Sequence, residues 1–225
     1  MNIFKDSPIF WIMLSIAFFV FGHFLNKKLK SPLLNPLLVA IAMMVIFLKA
    51  TDTTTADYSS GGDIINMMLF PSTALLAYSI YNQIDVLKKH FIPVIAGCFV
   101  GSMTAIISTK VLCNIFGLTE VLTASLIPKS VTTPIAIEVS TQLNGMQALT
   151  VAAVVVTGIF GAITAPYMAK IIRIKNPDAI GTSIGTCSHA AGTTRAITIG
   201  ETEGAMSGVA IGISGLITVL ITVFL

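Results

Sequence analysis

Long apolar runs separated by short polar ones set the pattern of this chain. In the first half, residues 8–25, 33–49, 64–82 and 91–113 are nearly free of charge. Each reaches or approaches the roughly 20 residues a helix needs to cross the apolar layer of a membrane. The connections are short. Asn26-Lys27-Lys28-Leu29-Lys30 separates the first two runs and Lys88-Lys89-His90 the third and fourth, while the loop 51–63 carries Asp52, Asp57 and Asp63 with no lysine or arginine. Basic loops are retained on the cytoplasmic side, so the N-terminus is expected outside and both lysine loops inside.

The second half is less regular. Residues 148–172 and 204–225 read as ordinary spans, and two interrupted stretches alternate with them. The first is apolar over 119–127, breaks at Pro128-Lys-Ser-Val-Thr-Thr-Pro134 and resumes over 135–143. Each arm is about half a membrane long at ~1.5 Å per helical residue. The second covers 179–200 and is interrupted by Gly185-Thr-Cys-Ser-His-Ala-Ala-Gly-Thr-Thr-Arg195. Keeping Lys170, Arg173 and Lys175 inside requires the first interrupted stretch to enter and leave on the outer side as a re-entrant hairpin; a full crossing would put that cluster outside. The second either crosses, turning Glu201 and Glu203 outward, or re-enters. Pro71-Ser72-Thr73 interrupts the third run much as 185–195 interrupts the seventh element, the paired arrangement seen at transporter sites. The expectation is an all-α polytopic membrane protein of about 6–8 transmembrane elements. Two of these are broken or re-entrant in the C-terminal half, and an inverted repeat remains open. The whole of 1–225 forms one transmembrane domain with halves at 1–116 and 117–225.

Composition agrees with that reading. Hydrophobic residues make up 55% of the chain and charged ones 10%, against about a quarter charged in soluble chains. The net charge of +3 is spread in small basic groups, which read as topology signals, so no nucleic-acid partner is expected. Cys98, Cys113 and Cys187 lack metal-ligand or disulfide-framework spacing, and no metal or cofactor is expected. The first run has no basic leader or small-residue cleavage site and reads as a retained helix. With no nucleophile–base arrangement and no ATP-binding loop, the chain does not read as an enzyme.

The interruptions hold the chemistry. Lys129 sits deep in an apolar segment, where a charge costs about 2.5–3.5 kcal/mol. Ser130, Thr132 and Thr133 surround it with hydroxyls, and a helix starting near Pro134 and capped by Thr133 would aim free N–H groups at the break. An ammonium and a helix N-terminus together suit an anion; the alternatives are a structural pair with Glu120 or Glu138 and a side chain snorkelling to an interface from a shallow loop. Glu138, one turn past Pro134, is a candidate proton carrier or a structural partner of Lys129 or Arg195. In the second break Gly192 permits close approach, Thr193 and Thr194 are candidate caps, and Arg195 would fall in the first turn of the following helix, its planar fork suited to a carboxylate. A pair with Glu201 or Glu138, or a plain arginine near the interface, is the alternative. His189 is either a proton shuttle or a buried structural histidine. Ser72 and Thr73 complete the candidate binding set. Glycines three or four apart, Gly204, Gly208, Gly212 and Gly215, permit close packing within or between subunits, and a homo-oligomer is expected.

Leu126-Ile-Pro-Lys-Ser-Val-Thr-Thr-Pro-Ile-Ala136, Val156-Thr-Gly-Ile-Phe-Gly-Ala162, Ser188-His-Ala-Ala-Gly-Thr-Thr-Arg-Ala196, Ile199-Gly-Glu201 and Gly204-Ala-Met-Ser-Gly208 strongly resemble the LrgB/CidB family. The resemblance covers nearly the whole chain; Phe70-Pro-Ser-Thr-Ala74 departs from it, where a Gly-Pro-Ala-Thr-like string is usual. It implies a multi-pass protein of the bacterial plasma (inner) membrane, set among lipid and often paired with a small holin-like LrgA/CidA partner. Two functional pictures come with it. One is holin/antiholin-like control of murein hydrolase export and lysis; the other is movement of small carboxylates, pyruvate in bacteria and glycolate or glycerate in the related plastid envelope translocator. The two cationic breaks favour the second: a secondary transporter holding a small carboxylate anion at the broken helices, with Glu138 or His189 coupling protons.

Overall fold

The computed structural model describes residues 7–29, 36–69, 71, 74–75, 78, 81 and 84–225, and these are helical apart from short turns. The chain divides into two compact units, Met1–Ser72 and Thr73–Leu225.

The first unit contains α1 (Pro8–Leu29), α2 (Pro36–Ala50) and α3 (Thr55–Met67), with α2 and α3 both packed on α1. Trp11 is completely buried at its centre. Its ring meets Phe10, Tyr58 and Phe47 edge-on at 5.0, 5.9 and 6.3 Å. Glycines set the approach distances: a Cβ on Gly61 would collide with Trp11 and the Pro8 carbonyl, and one on Gly22 with Pro36. The acidic stretch expected as a loop is largely the start of α3. Thr54 caps that helix in a reciprocal box with Asp57, which satisfies two otherwise orphaned backbone donors. The apolar run expected over 64–82 meets the end of α3 at Met67, and most of the rest of it, with Ser72 and Thr73, lies outside the described residues.

The second unit contains α4 (Ile84–Lys89), α5 (Phe91–Ile115), α6 (Glu120–Leu126), α7 (Thr133–Gln142), α8 (Gln147–Ile171), α9 (Pro177–Ile199) and α10 (Glu201–Thr222). Its organisation follows from a few contacts. His90, just before α5, pairs with Asp178 at the start of α9 at 3.2 Å. The beginning of α5, the end of α8 and the beginning of α9 therefore share one end of the unit, called here the basic end because Lys88, Lys89, Lys170, Arg173 and Lys175 cluster in these segments. The far end carries the α5–α6 turn and the start of α8, where the Met146 N–H donates to Ser125 Oγ at 2.7 Å. The segment α6–turn–α7 thus leaves the far end and returns to it.

Helix α9 also turns back. Its first arm runs parallel to α5, with Gly97 facing Thr182 and Gly101 facing Thr186. At His189 the backbone adopts φ 41° and ψ −143°, and the second arm reverses so that Gly192 lies against Ile184 and Ser188. A straight helix would hold residues 184 and 192 about 12 Å apart. The second arm ends at the basic end, where α10 starts antiparallel to it, Gly204 against Ile197, while Gly181 and Gly185 of the first arm sit on α10 at Glu203 and Ser207. The glycines of α9 and α10 are thus used for packing inside the unit.

Four helices among the described residues are long and apolar enough to cross a membrane: α1 and α10 with 22 residues, α5 and α8 with 25. Helix α2 is apolar but shorter. Their outer surfaces carry Phe19, Phe99, Val100, Ile107, Val156, Phe160 and Leu216 in the open, as lipid-facing surfaces do. The protein is an α-helical membrane protein.

Candidate functional site

The two reversals approach the same place on α8. In the first, Val131 and Ala136 pack on Val154 with Ile135 beside them. In the second, His189 Nε2 lies 2.9 Å from the Val154 carbonyl; a carbonyl only accepts, so Nε2 carries the proton. A Cβ on Gly158 would collide with the His189 ring, and one on Gly161 with the Ser188 hydroxyl. Only bare backbone on that face of α8 admits the second tip.

The first tip is built around Lys129. Two prolines, Pro128 and Pro134, remove backbone donors and stop α6 from running on into α7. The ammonium of half-buried Lys129 donates to Thr109 Oγ1 on α5 at 2.7 Å. Among the described residues no carboxylate lies within ion-pair distance of it, so the alternative pairing with Glu120 or Glu138 does not form. Ser130 and Thr132 are buried beside it. The cap of α7 is Thr132 where Thr133 was expected, and Thr133 with Pro134 forms the first turn. The reason is phase: extended backbone at Thr132 (φ −62°, ψ 147°) is what a cap residue adopts. Its side chain makes no capping bond, and Thr132 Oγ1 is buried without a partner.

The second tip carries a matching unpaired group. Ser188 is 1% exposed, and its hydroxyl is the other buried side-chain oxygen left unpaired among the described residues. A buried unpaired hydroxyl costs about 1–3 kcal/mol, and the two here stand one at each tip. His189 adds backbone strain, since a positive φ is costly for a residue with a Cβ. Thr193 supports the turn from behind. Its hydroxyl donates to the His189 carbonyl at 3.0 Å and pairs with Ser207 Oγ on α10 at 2.7 Å.

The remaining sequence candidates fall elsewhere. Because the reversal lies at His189, the returning arm begins earlier than expected, and Thr193 and Thr194 bond back into it at His189 and Ala191 without capping it. Arg195 lies beyond the first turn, exposed, with Nη1 on Thr198 at 3.2 Å. Glu138 is exposed on α7, and neither it nor Arg195 forms an ion pair among the described residues. Gly192 is buried inside the turn. Sequence reasoning singled out neither Thr109 nor Ser188; a threonine at the depth of Lys129 on the preceding span was the available signal for the first. Among the described residues no cluster of three or more His, Cys, Asp or Glu could hold a metal. Near the basic end, a cavity of about 390 Å³ opens between His90, Val94, Gly97, Asp178, Thr182 and Met206.

A family model described as "LrgB-like family" matches residues 15–225. The antiholin-like protein LrgB of Bacillus subtilis (strain 168) is 35% identical over 216 residues, covering 96% of this chain and 94% of that protein. Proteins of the same name from Bacillus mycoides (strain KBAB4) and Bacillus cereus (strain B4264) are 32% identical over the same shares. No solved structure matches the chain.

Proposed function

The chain belongs to the LrgB-like family, and from that premise we propose that it is an antiholin-like protein of the bacterial inner membrane, restraining murein hydrolase export and lysis beside a small LrgA/CidA-type partner. The observation that carries this reading is the extent of the likeness: relatives bearing the antiholin-like name match across 96% of the chain. The test is expression of the chain with and without such a partner, reading extracellular murein hydrolase activity and the time to lysis. Delayed lysis that requires the chain is expected; lysis indifferent to it overturns the reading.

A second reading, carriage of small carboxylates, is favoured by Lys129, which is half-buried and has no carboxylate within ion-pair distance among the described residues. In it both folded-back segments re-enter the membrane, α6–α7 from outside and α9 from the cytoplasm. With α5 and α8 each crossing once, every basic cluster of the second unit then lies inside. Lys129, Ser130 and Thr132 hold a pyruvate-, glycolate- or glycerate-like anion, and His189 is better placed than exposed Glu138 to couple a proton. Uptake of these acids into proteoliposomes, with and without an inward proton gradient, tests it. Saturable uptake lost in Lys129→Ala supports carriage, and its absence in well-folded protein removes that reading while leaving the first.

A further inference from the structure

We infer that the two folded-back segments are opposed gates over one anion site, with Thr132 and Ser188 as ligands contributed from opposite ends. This rests on the carriage reading and adds to it the direction from which each half of the site is reached.

Depth supports the arrangement. Lys129 is fixed to Thr109, six residues before the end of α5, and Val154 lies seven residues into α8, so the first tip sits about 9–10 Å from the far end at ~1.5 Å per residue. His189 lies twelve residues beyond Pro177, which puts the second tip about 18 Å from the basic end. Together these nearly span the ~30 Å apolar layer. The tips meet within it at Val154, one on its side chain and one on its carbonyl.

Chemistry supplies the occupant. Each tip presents one unpaired hydroxyl, Thr132 Oγ1 at 9% residue exposure and Ser188 Oγ at 1%. Beside Thr132 stand the ammonium of Lys129 and the N-terminus of α7, whose cap makes no side-chain bond. Hydroxyls, an ammonium and a helix N-terminus, with no carboxylate among the described residues in ion-pair range of Lys129, select a small single negative charge. The segment α6–α7 followed by α8 has the same order as the α9 hairpin followed by α10, but starts from the opposite end. Two such hairpin–span pairs inverted about one site allow one tip to withdraw while the other stays closed. The cavity lined by His90, Asp178 and Thr182 lies along the first arm of α9 near the basic end.

The test is sided labelling of the full chain in right-side-out and inside-out vesicles with a membrane-impermeant maleimide. Cys98 and Cys113 are replaced by alanine. One reporter is native Cys187, exposed beside Ser188; the other is Thr133→Cys in a Cys187→Ser chain. Cys187 is expected to react from the cytoplasmic side and Thr133→Cys from the outer side, with pyruvate slowing both and equal sodium chloride slowing neither. Reaction of both from one side overturns the opposed arrangement, and this is read without any ligand, so it stands apart from failure of carriage itself. Opposite-sided reaction that pyruvate slows at neither or only one reporter overturns the shared site. Thr132→Val and Ser188→Ala should each raise the pyruvate concentration giving half protection about tenfold, the loss of one hydrogen bond to a charged ligand; a shift in only one variant removes the other residue as a ligand.

Discussion

The two reversals of the second unit do the same geometric work by different means. At 127–132 the chain itself stops the helix, with Pro128 and Pro134 on either side of a charge, and the tip then anchors through Lys129 on Thr109. At His189 nothing in the local sequence forbids helix. The reversal is imposed from outside, by the Val154 carbonyl, the bare backbone of Gly158 and Gly161, and the support of Thr193 and Ser207. One turn is encoded locally and the other by its seat, so they should respond oppositely to substitutions in themselves and in their surroundings.

The strongest way to separate them is to fill the seat. Gly158→Val places side-chain atoms where the His189 ring lies, and overpacking of this kind costs about 3 kcal/mol; a lower melting temperature in detergent, with faster proteolysis near residue 189, is expected. Next comes the imposed turn. His189→Ala keeps the positive φ and loses the bond to Val154, for a destabilisation of about 1 kcal/mol, whereas His189→Gly also relieves the backbone. The glycine variant should melt above the alanine variant by the equivalent of about 1 kcal/mol; the reverse order would mean that the reversal is unstrained. The locally encoded tip behaves otherwise. Lys129→Met removes a half-buried charge that has no carboxylate partner in range among the described residues and should be neutral or stabilising, by up to about 2 kcal/mol, while abolishing any dependence of stability on added pyruvate. The smallest effect belongs to Arg195→Ala: an exposed side chain with one bond to Thr198 should change stability by less than about 0.5 kcal/mol and leave uptake and lysis unaltered.

That contrast also accounts for what could be read in advance. The spans 91–113, 148–172 and 204–225 correspond to α5, α8 and α10, because a continuous apolar run of that length satisfies its backbone and its side chains together as a helix across lipid. Pro128, Lys129 and Pro134 declared their break, because a missing N–H and a charge are local facts. His189 did not. The residues that look like breakers, Gly185 and Gly192, stay within the helical arms and serve as contact surfaces for Ser207, Ile184 and Ser188, while the residue that reverses the chain carries a Cβ. Once the turn was sought nearer Gly192, the phase of everything after it moved. Each residue rotates a helix by about 100°, and a short shift was enough to carry Arg195 from the expected site to the exposed surface. Thr132 and Ser188 were hidden for a different reason: an unpaired hydroxyl is a property of what surrounds it.

The locally encoded tip has a consequence for how the protein is made. Its seat comes from residues synthesised later, Val154 on α8 and Gly215 on α10, which receives Ile135. In the re-entrant arrangement of the carriage reading, the α6–α7 segment leaves the ribosome before either exists, carrying a non-helical stretch that cannot remain unsatisfied in lipid. It must wait at the surface or in the insertion machinery until α8 is threaded. Membrane insertion and tertiary folding are therefore not separable stages for this region, and a chain arrested between α8 and α10 should hold its first hairpin only loosely, open to proteases that the finished protein excludes.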